Sequence, residues 1–207
     1  MTKAQSAANR RWIGIALLFA LCVSAYVLYD LFFKDKGLPV VMNSPSFSLP
    51  DLEGNLVTQD QFDGKVRLMS FIFTRCPDIC PATTANMARL QSTLKEKGWF
   101  GDKVSFVSVS FDPLNDTPDV LNQYAQRMGI DRSGWTLLRS DDEAPVIDLA
   151  KKYGFSIQRM DDGLYAHSVT SLLLIDSEHR VRNIYRMGEE MDNEQILSDI
   201  GALLAEQ

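Results

Sequence analysis

Residues 66–98 read VRLMSFIFTRCPDICPATTANMARLQSTLKEKG. The first eight form a continuous apolar run rich in β-forming side chains, which predicts a strand buried on both faces. From Pro81 the pattern changes. Met87, Leu90 and Leu94 fall on one helical face, Pro81 stands near the start and Gly98 closes the run, which predicts a helix. A buried strand passing directly into a helix is a βα step, and Cys76 and Cys80 occupy the loop between the two. Open α/β sheets place their sites at such carboxyl ends of strands. The chain has three cysteines in all. Two of them four residues apart could be a disulfide switch, a metal clamp or a pair of buried thiols without chemistry.

The flanking sequence extends the alternation. VSFVSVS (104–110) predicts a second buried strand, and Thr117-Pro118 predicts an N-cap and first residue of a helix. WTLLRS predicts a strand. Ser140–Glu143, SDDE, matches a capping box that opens a helix to Tyr153. Residues 155–169 read as an excursion with a turn at Asp161-Asp162-Gly163. Residues 171–186 read as a hairpin turning at SEHR, and Asp192 can cap a final helix. Before the central strand, FSLP and LVT flank the turn DLEGN as a short hairpin. Helices alternate with apolar strands and a hairpin and helix close the chain, so the expected fold is α/β around a mixed sheet.

The N-terminus is of another kind. Residues 12–29 carry no charge, close to the ~20 apolar residues that span a bilayer. Trp12, Tyr26 and Tyr29 stand near its ends, where amphipathic rings favour the headgroup level. A cleaved signal peptide with Val23-Ser24-Ala25 at the cleavage site is the competing reading, but the apolar run continues past it. The expectation is a cytoplasmic N-terminus (1–11), a single-pass anchor (12–33), a linker (34–45) and one folded domain (46–207). Lys3, Arg10 and Arg11 before the span set its N-terminus in the cytoplasm against Lys34 and Lys36 after it. The domain then lies in the periplasm of a bacterial inner membrane or an equivalent space, where exposed thiols are oxidised. Cys22 is an apolar residue of the span. Residues 1–33 hold Lys3, Arg10, Arg11 and Asp30, so the rest carries 18 basic and 26 acidic side chains, net −8. With no basic stripe, nucleic-acid binding has no support. Basic partners or metal cations suit this surface.

The cysteine loop feeds a helix N-terminus, whose unpaired N–H groups and partial positive charge favour thiolate. The prolines and Asp78 mark it as an exposed loop. Two histidines exist, His167 and His179. His179 falls in the hairpin turn and reads as a solvated turn residue. His167 precedes the strand SVTSLLLID, which can lie beside the strand feeding the cysteines. Two thiolates and one imidazole form a three-ligand set suited to Cu(I) and Cu(II). Zinc competes, but a structural zinc site wants four protein ligands.

FTRCPDICPATT (73–84), VSFVSVSFDPLNDTP (104–118) and GLYAHSVTSLLLID (163–176) together resemble the SCO/SenC family of copper-binding assembly factors for cytochrome c oxidase. The resemblance covers nearly all of residues 44–205. It implies a thioredoxin-like fold with an extra N-terminal hairpin and a single N-terminal transmembrane helix. It also implies one copper, Cu(I) or Cu(II), bound by Cys76, Cys80 and His167. The implied partners are the copper-bearing subunit of cytochrome c oxidase or another cuproprotein, with other periplasmic copper chaperones or thioredoxin-like reductases as further candidates. The family's "DP…DT" acids correspond to Asp112 and Asp116, which can support the site, although Asp112 can equally fix a turn and Asp116 help cap a helix.

The alternative function is a thiol–disulfide oxidoreductase that reduces cysteines of the oxidase copper site or other periplasmic targets through Cys76 and Cys80. Three features favour copper. Thioredoxin-type enzymes use Cys-x-x-Cys, one residue shorter than this loop. They carry a proline before the last hairpin where this chain has Thr170, and they need no histidine opposite the thiols. A peroxidase of the peroxiredoxin type would need Thr-x-x-Cys, whereas Thr74 stands two residues before Cys76.

Overall fold

The structure, a computed structural model, describes residues 12, 15–26, 28, 37–160, 165–167 and 170–207. It divides into two compact units, Met1–Lys36 and Gly37–Gln207. In the first, residues 15–26 are helical and their apolar side chains, Leu17 and Phe19 among them, are exposed. Among the described residues no helix is long and apolar enough to cross a membrane. The rest of the expected span (13–14, 27 and 29–33) lies outside the described residues.

Among the described residues the second unit holds ten strands: β1 (Met42–Asn43), β2 (Ser48–Pro50), β3 (Leu56–Thr58), β4 (Val66–Ile72), β5 (Val104–Ser110), β6 (Trp135–Leu138), β7 (Ile157–Arg159), β8 (Tyr165–His167), β9 (Ser171–Ile175) and β10 (Arg180–Arg186). Its helices are α1 (Ile79–Glu96), α2 (Pro118–Met128), α3 (Glu143–Lys152) and α4 (Asn193–Ala205). The main sheet runs β1-β10-β9-β4-β5-β6. β4, β5 and β6 are parallel, and β9 returns antiparallel against β4, with Met69 opposite Leu173. This is the expected mixed α/β sheet, and the strand after His167 does lie beside the strand that feeds the cysteines. β2–β3 and β7–β8 are separate hairpins.

Every residue of β4 and β5 is buried, because both are central strands covered on both faces. α1 buries Met87, Leu90 and Leu94, each at most 2% exposed, in the same core. Burying side chains of this size contributes about 1.5–3 kcal/mol apiece. Thr117 caps α2, accepting from the Val120 N–H at 3.3 Å, and Asp192 caps α4, accepting from the Gln195 N–H at 3.0 Å. Gly129 ends α2 at φ 69°, a left-handed position that favours glycine.

Two local expectations are corrected. Met42–Asn43, read as linker, pairs with Val181 and Arg180 as an edge strand. Two residues are too few to show a strand period. The capping box at 140–143 does not form. Ser140 Oγ accepts instead from the Asp142 N–H at 3.2 Å, and Asp142, the residue before α3, makes no side-chain cap. The Glu143 carboxylate is used elsewhere: it accepts from Tyr165 OH at 2.8 Å and pairs with Arg159 at 3.5 Å. A contact from a distant hairpin has displaced a local one.

Candidate metal centre

β4 delivers Phe73, Thr74 and Arg75 into the cysteine loop, and α1 begins at Ile79. Cys80 is therefore the second residue of the helix, inside its first turn. Pro77 and Asp78 are exposed, but Cys76 and Cys80 are only 8% and 1% exposed. The loop is exposed at its tip alone. No disulfide joins the two cysteines.

The Cys76 sulfur accepts the Cys80 backbone N–H at 3.4 Å. The Cys80 thiol donates to the same sulfur. That hydrogen bond, then burial, then the charge of Cys76, push the Cys80 thiol well above its ordinary value. The expectation that the helix N-terminus lowers both thiols fails at Cys80. The helix field is local and modest, and it is outweighed by desolvation and a neighbouring sulfur. The pair thus holds a proton that a cation bound between the sulfurs would displace. Beneath them, Tyr124 of α2 shares a 2.8 Å hydrogen bond with Thr84, whose hydroxyl donates to the Cys80 carbonyl at 2.9 Å. Burial, ahead of the nearby sulfurs, pushes the Tyr124 phenol up to about 12.

Asp112 and Asp116 are 1% and 0% exposed. Asp112 accepts from Arg75 Nε and Nη2 at 3.0 and 2.9 Å and from Asn115 Nδ2 at 2.8 Å, while its carbonyl takes the N–H groups of Asn115 and Asp116. It fixes a turn, as expected, and also ties the cysteine loop to it. Asp116 does not cap α2, since Thr117 does. Its carboxylate instead takes the Thr74 N–H at 3.2 Å and the hydroxyls of Thr74 and Ser110. Burial raises its pKa and these donors oppose the rise. The Asp116 bonds clamp the end of β4 to the end of β5 directly before Cys76. Both carboxylates are thereby occupied, which counts against their serving as a fourth metal ligand. Ser110 in this clamp and Arg75 on Asp112 were not singled out by sequence reasoning, and Thr74 was weighed there only for its spacing from Cys76. Their signal was their position at the ends of the two central strands.

His167 ends β8 and pairs in register with Ile157 of β7. β8 is held to the cysteine region by Tyr165, whose ring lies 5.6 Å from Phe73 and 5.2 Å from Phe111, ring centre to ring centre. Phe73 is three residues before Cys76, and Phe111 adjoins Asp112. Tyr165 and Glu143, which fasten this hairpin, were also missed. The turn at 161–163 lies outside the described residues.

His179 departs from expectation. It occupies the β9–β10 turn at φ 60°, a region where histidine is enriched among non-glycine residues. Its ring is only 17% exposed, however, and its Nε2 lies 2.7 Å from Asp63 Oδ1. It joins the two segments rather than facing solvent.

The donor set fits a soft metal: two buried sulfurs four residues apart, with the strand that ends in His167 packed through Tyr165 on Phe73. Residues 40–205 match the model of the SCO1/SenC family. The SCO1 protein homolog of Bacillus subtilis is 30% identical over 156 residues, 74% of this chain and 79% of that protein. The structure of BsSco, a member of the Sco family of cytochrome c oxidase assembly proteins with an identified disulfide switch, aligns with a TM-score of 0.69. It is 25% identical over 81% of this chain and 98% of that one. Arabidopsis thaliana ScoI, solved with copper bound, gives a TM-score of 0.66 at 25% identity over 79% and 99% of the two chains. The sheet, the cysteine loop and these matches agree, and the chain belongs to the SCO1/SenC family.

Proposed function

We propose that this chain is a membrane-anchored copper chaperone that binds one copper through Cys76, Cys80 and His167 and helps load the copper centre of cytochrome c oxidase. The observation that carries the reading is the thiol pair itself. Two buried sulfurs, joined by no disulfide, stand at the end of the central strand, and Tyr165 of the strand that carries His167 packs its ring on Phe73 and Phe111. Copper would supply a cation that makes both thiolates stable in that buried position. The protein's own residues do the rest. The Asp116 clamp fixes the approach of β4, Arg75–Asp112 fixes the loop, and Pro77 and Asp78 leave its tip open to a partner. The copper-bound relative and the oxidase-assembly relative support the same reading. The uncharged run 12–29 supports an anchor with the domain on the periplasmic side.

The test is metal analysis of the full chain, reduced and oxidised, after exposure to copper. One copper per reduced chain and none per chain with a Cys76–Cys80 disulfide is expected, because the disulfide removes both thiolates. Equal copper in both forms puts the metal elsewhere.

A second reading uses the same sulfurs. In thiol–disulfide exchange, the reduced pair transfers two electrons and two protons to a target disulfide and becomes the Cys76–Cys80 disulfide. The four-residue spacing of two buried thiols and the disulfide switch of BsSco favour keeping it. Reduction of a target disulfide by the copper-free protein, with no copper uptake, would make it the main function.

A further inference from the structure

A groove of about 500 Å³ opens directly beside the cysteine loop. One wall is Asp78 and Ile79, two of the three residues between the cysteines. The other runs from Arg186, the last residue of β10, to Glu190, with Thr170 at its end. Its floor is apolar, since Ile79 is half-buried and Met187 is 2% exposed. Its rim carries three exposed acids, Asp78, Glu189 and Glu190, against one exposed base, Arg186. Glu190 is paired with Arg186 at 2.7 Å. Among the described residues Asp78 and Glu189 have no ion pair, and Asp78 does not use its carboxylate to cap α1. Two uncompensated carboxylates thus face a slot with a greasy base.

The slot is rigid. The Gly188 N–H donates to Thr83 Oγ1 at 2.8 Å, and its carbonyl accepts from Asn86 Nδ2 at 2.7 Å, so the far wall is bolted to α1. The Thr170 carbonyl accepts the Met187 N–H at 2.8 Å. Gly188 adopts φ +92°, and a Cβ there would stand 3.2 Å from Ile79 Cγ1. The absence of that carbon lets the two walls approach.

We propose that this groove docks a segment of the partner protein that carries a lysine or arginine close to its own cysteine. The aliphatic stem of the basic side chain lies on Ile79 and Met187, and its charge meets Asp78 and Glu189. The partner's sulfur is then held beside Cys76 and Cys80. The inference rests on the functional reading above, because it assigns the docking step for sulfur-to-sulfur transfer at that site. Charge complementarity of this kind sets encounter rate and partner choice more than affinity.

The test uses the full chain in non-ionic detergent, reduced and copper-free. It is mixed with the disulfide dimer of a short peptide that has lysine two residues from its cysteine, or with the glutamate counterpart. In each reaction the Cys76–Cys80 dithiol becomes a disulfide and the peptide disulfide becomes two thiols, which take the two protons. The lysine peptide is expected to react about tenfold faster at low salt, with the advantage shrinking as salt rises. Glu189→Lys should remove the preference. Glu96→Lys, an equal charge change on the exposed end of α1, should keep it. An unchanged preference in Glu189→Lys, or an equal loss in Glu96→Lys, overturns the proposal. Copper uptake by the same proteins is measured separately. If wild type takes up no copper while the preference holds, the chaperone reading fails and the groove stands. If copper binds normally and no preference appears, the groove fails alone.

Discussion

At Cys80 two influences on one thiol oppose each other, and the balance sets the pH behaviour of the site. The helix N-terminus favours the thiolate, while the Cys76 hydrogen bond and burial favour the thiol and prevail. Copper must displace that proton, so binding tightens as pH rises, by about tenfold per pH unit for each proton released. A free thiol stops contributing near pH 8.5, but Cys80, held higher, should keep the slope through that point. Cu(I) affinity measured from pH 6 to 9 checks this, and Cys80→Ser should lower the slope by one proton. A pH-independent affinity would mean that the thiols are not the ligands. His167→Ala should weaken or redistribute the sulfur-to-copper absorption of the Cu(II) form, whereas Cys76→Ser should abolish it. Asp116 supports the site without being a proposed ligand. Asp116→Ala leaves the Thr74 N–H and the Ser110 hydroxyl without their acceptor. Each such orphan costs about 1–3 kcal/mol, and each kcal/mol lowers Tm by about 2–4 °C in a domain of this size. A thermal melt showing no change would remove the clamp from the account.

Among the elements, those set by local pattern were legible and those set by distant contacts were not. β4 and β5 announce themselves as apolar runs, and Thr117-Pro118 and Asp192 carry their capping chemistry in one or two residues. The box at 140–143 had equally good local chemistry and failed, because Tyr165 takes the glutamate. β1 was hidden because pairing with β10, not periodicity, makes it a strand. The cysteine loop was legible in position but not in burial. Pro77 and Asp78 signal exposure and are exposed, while Cys76 and Cys80 are buried. The β7–β8 hairpin brings the point to a test. If Tyr165 fastens the strand that carries His167, Tyr165→Ala should loosen it by removing two aromatic contacts, each worth about 0.5–1.5 kcal/mol beyond burial. The expected result is weaker Cu(II) binding with both thiols still titratable by a thiol reagent. Tyr165→Phe keeps the rings and loses only the Glu143 hydrogen bond, so it should lie between. Unchanged Cu(II) spectra in Tyr165→Ala would mean that the hairpin position does not govern the site.

For the whole molecule, the proposed ligands all belong to the unit Gly37–Gln207, whereas the uncharged run belongs to Met1–Lys36. Binding and tethering are then separable. A chain beginning at Leu38 retains β1 and the Leu38 carbonyl, which accepts from Arg182 Nε at 2.9 Å. It should fold and bind copper as the full chain does. What it loses is confinement. An anchor that holds the domain on the membrane of its target raises effective concentration without adding a contact, and that advantage can be replaced by more protein. Exported to the periplasm at native levels, the shortened chain should load oxidase copper poorly, and it should recover when overexpressed. Oxidase activity in a strain lacking the full chain, measured at both levels, separates the cases. Full activity at native level would make the tether incidental. If activity stays low at every level while the shortened chain still binds copper, the N-terminal unit does more than confine the domain. If deleting the full chain leaves oxidase activity unaltered even under copper limitation, the chaperone reading falls and thiol–disulfide exchange takes its place.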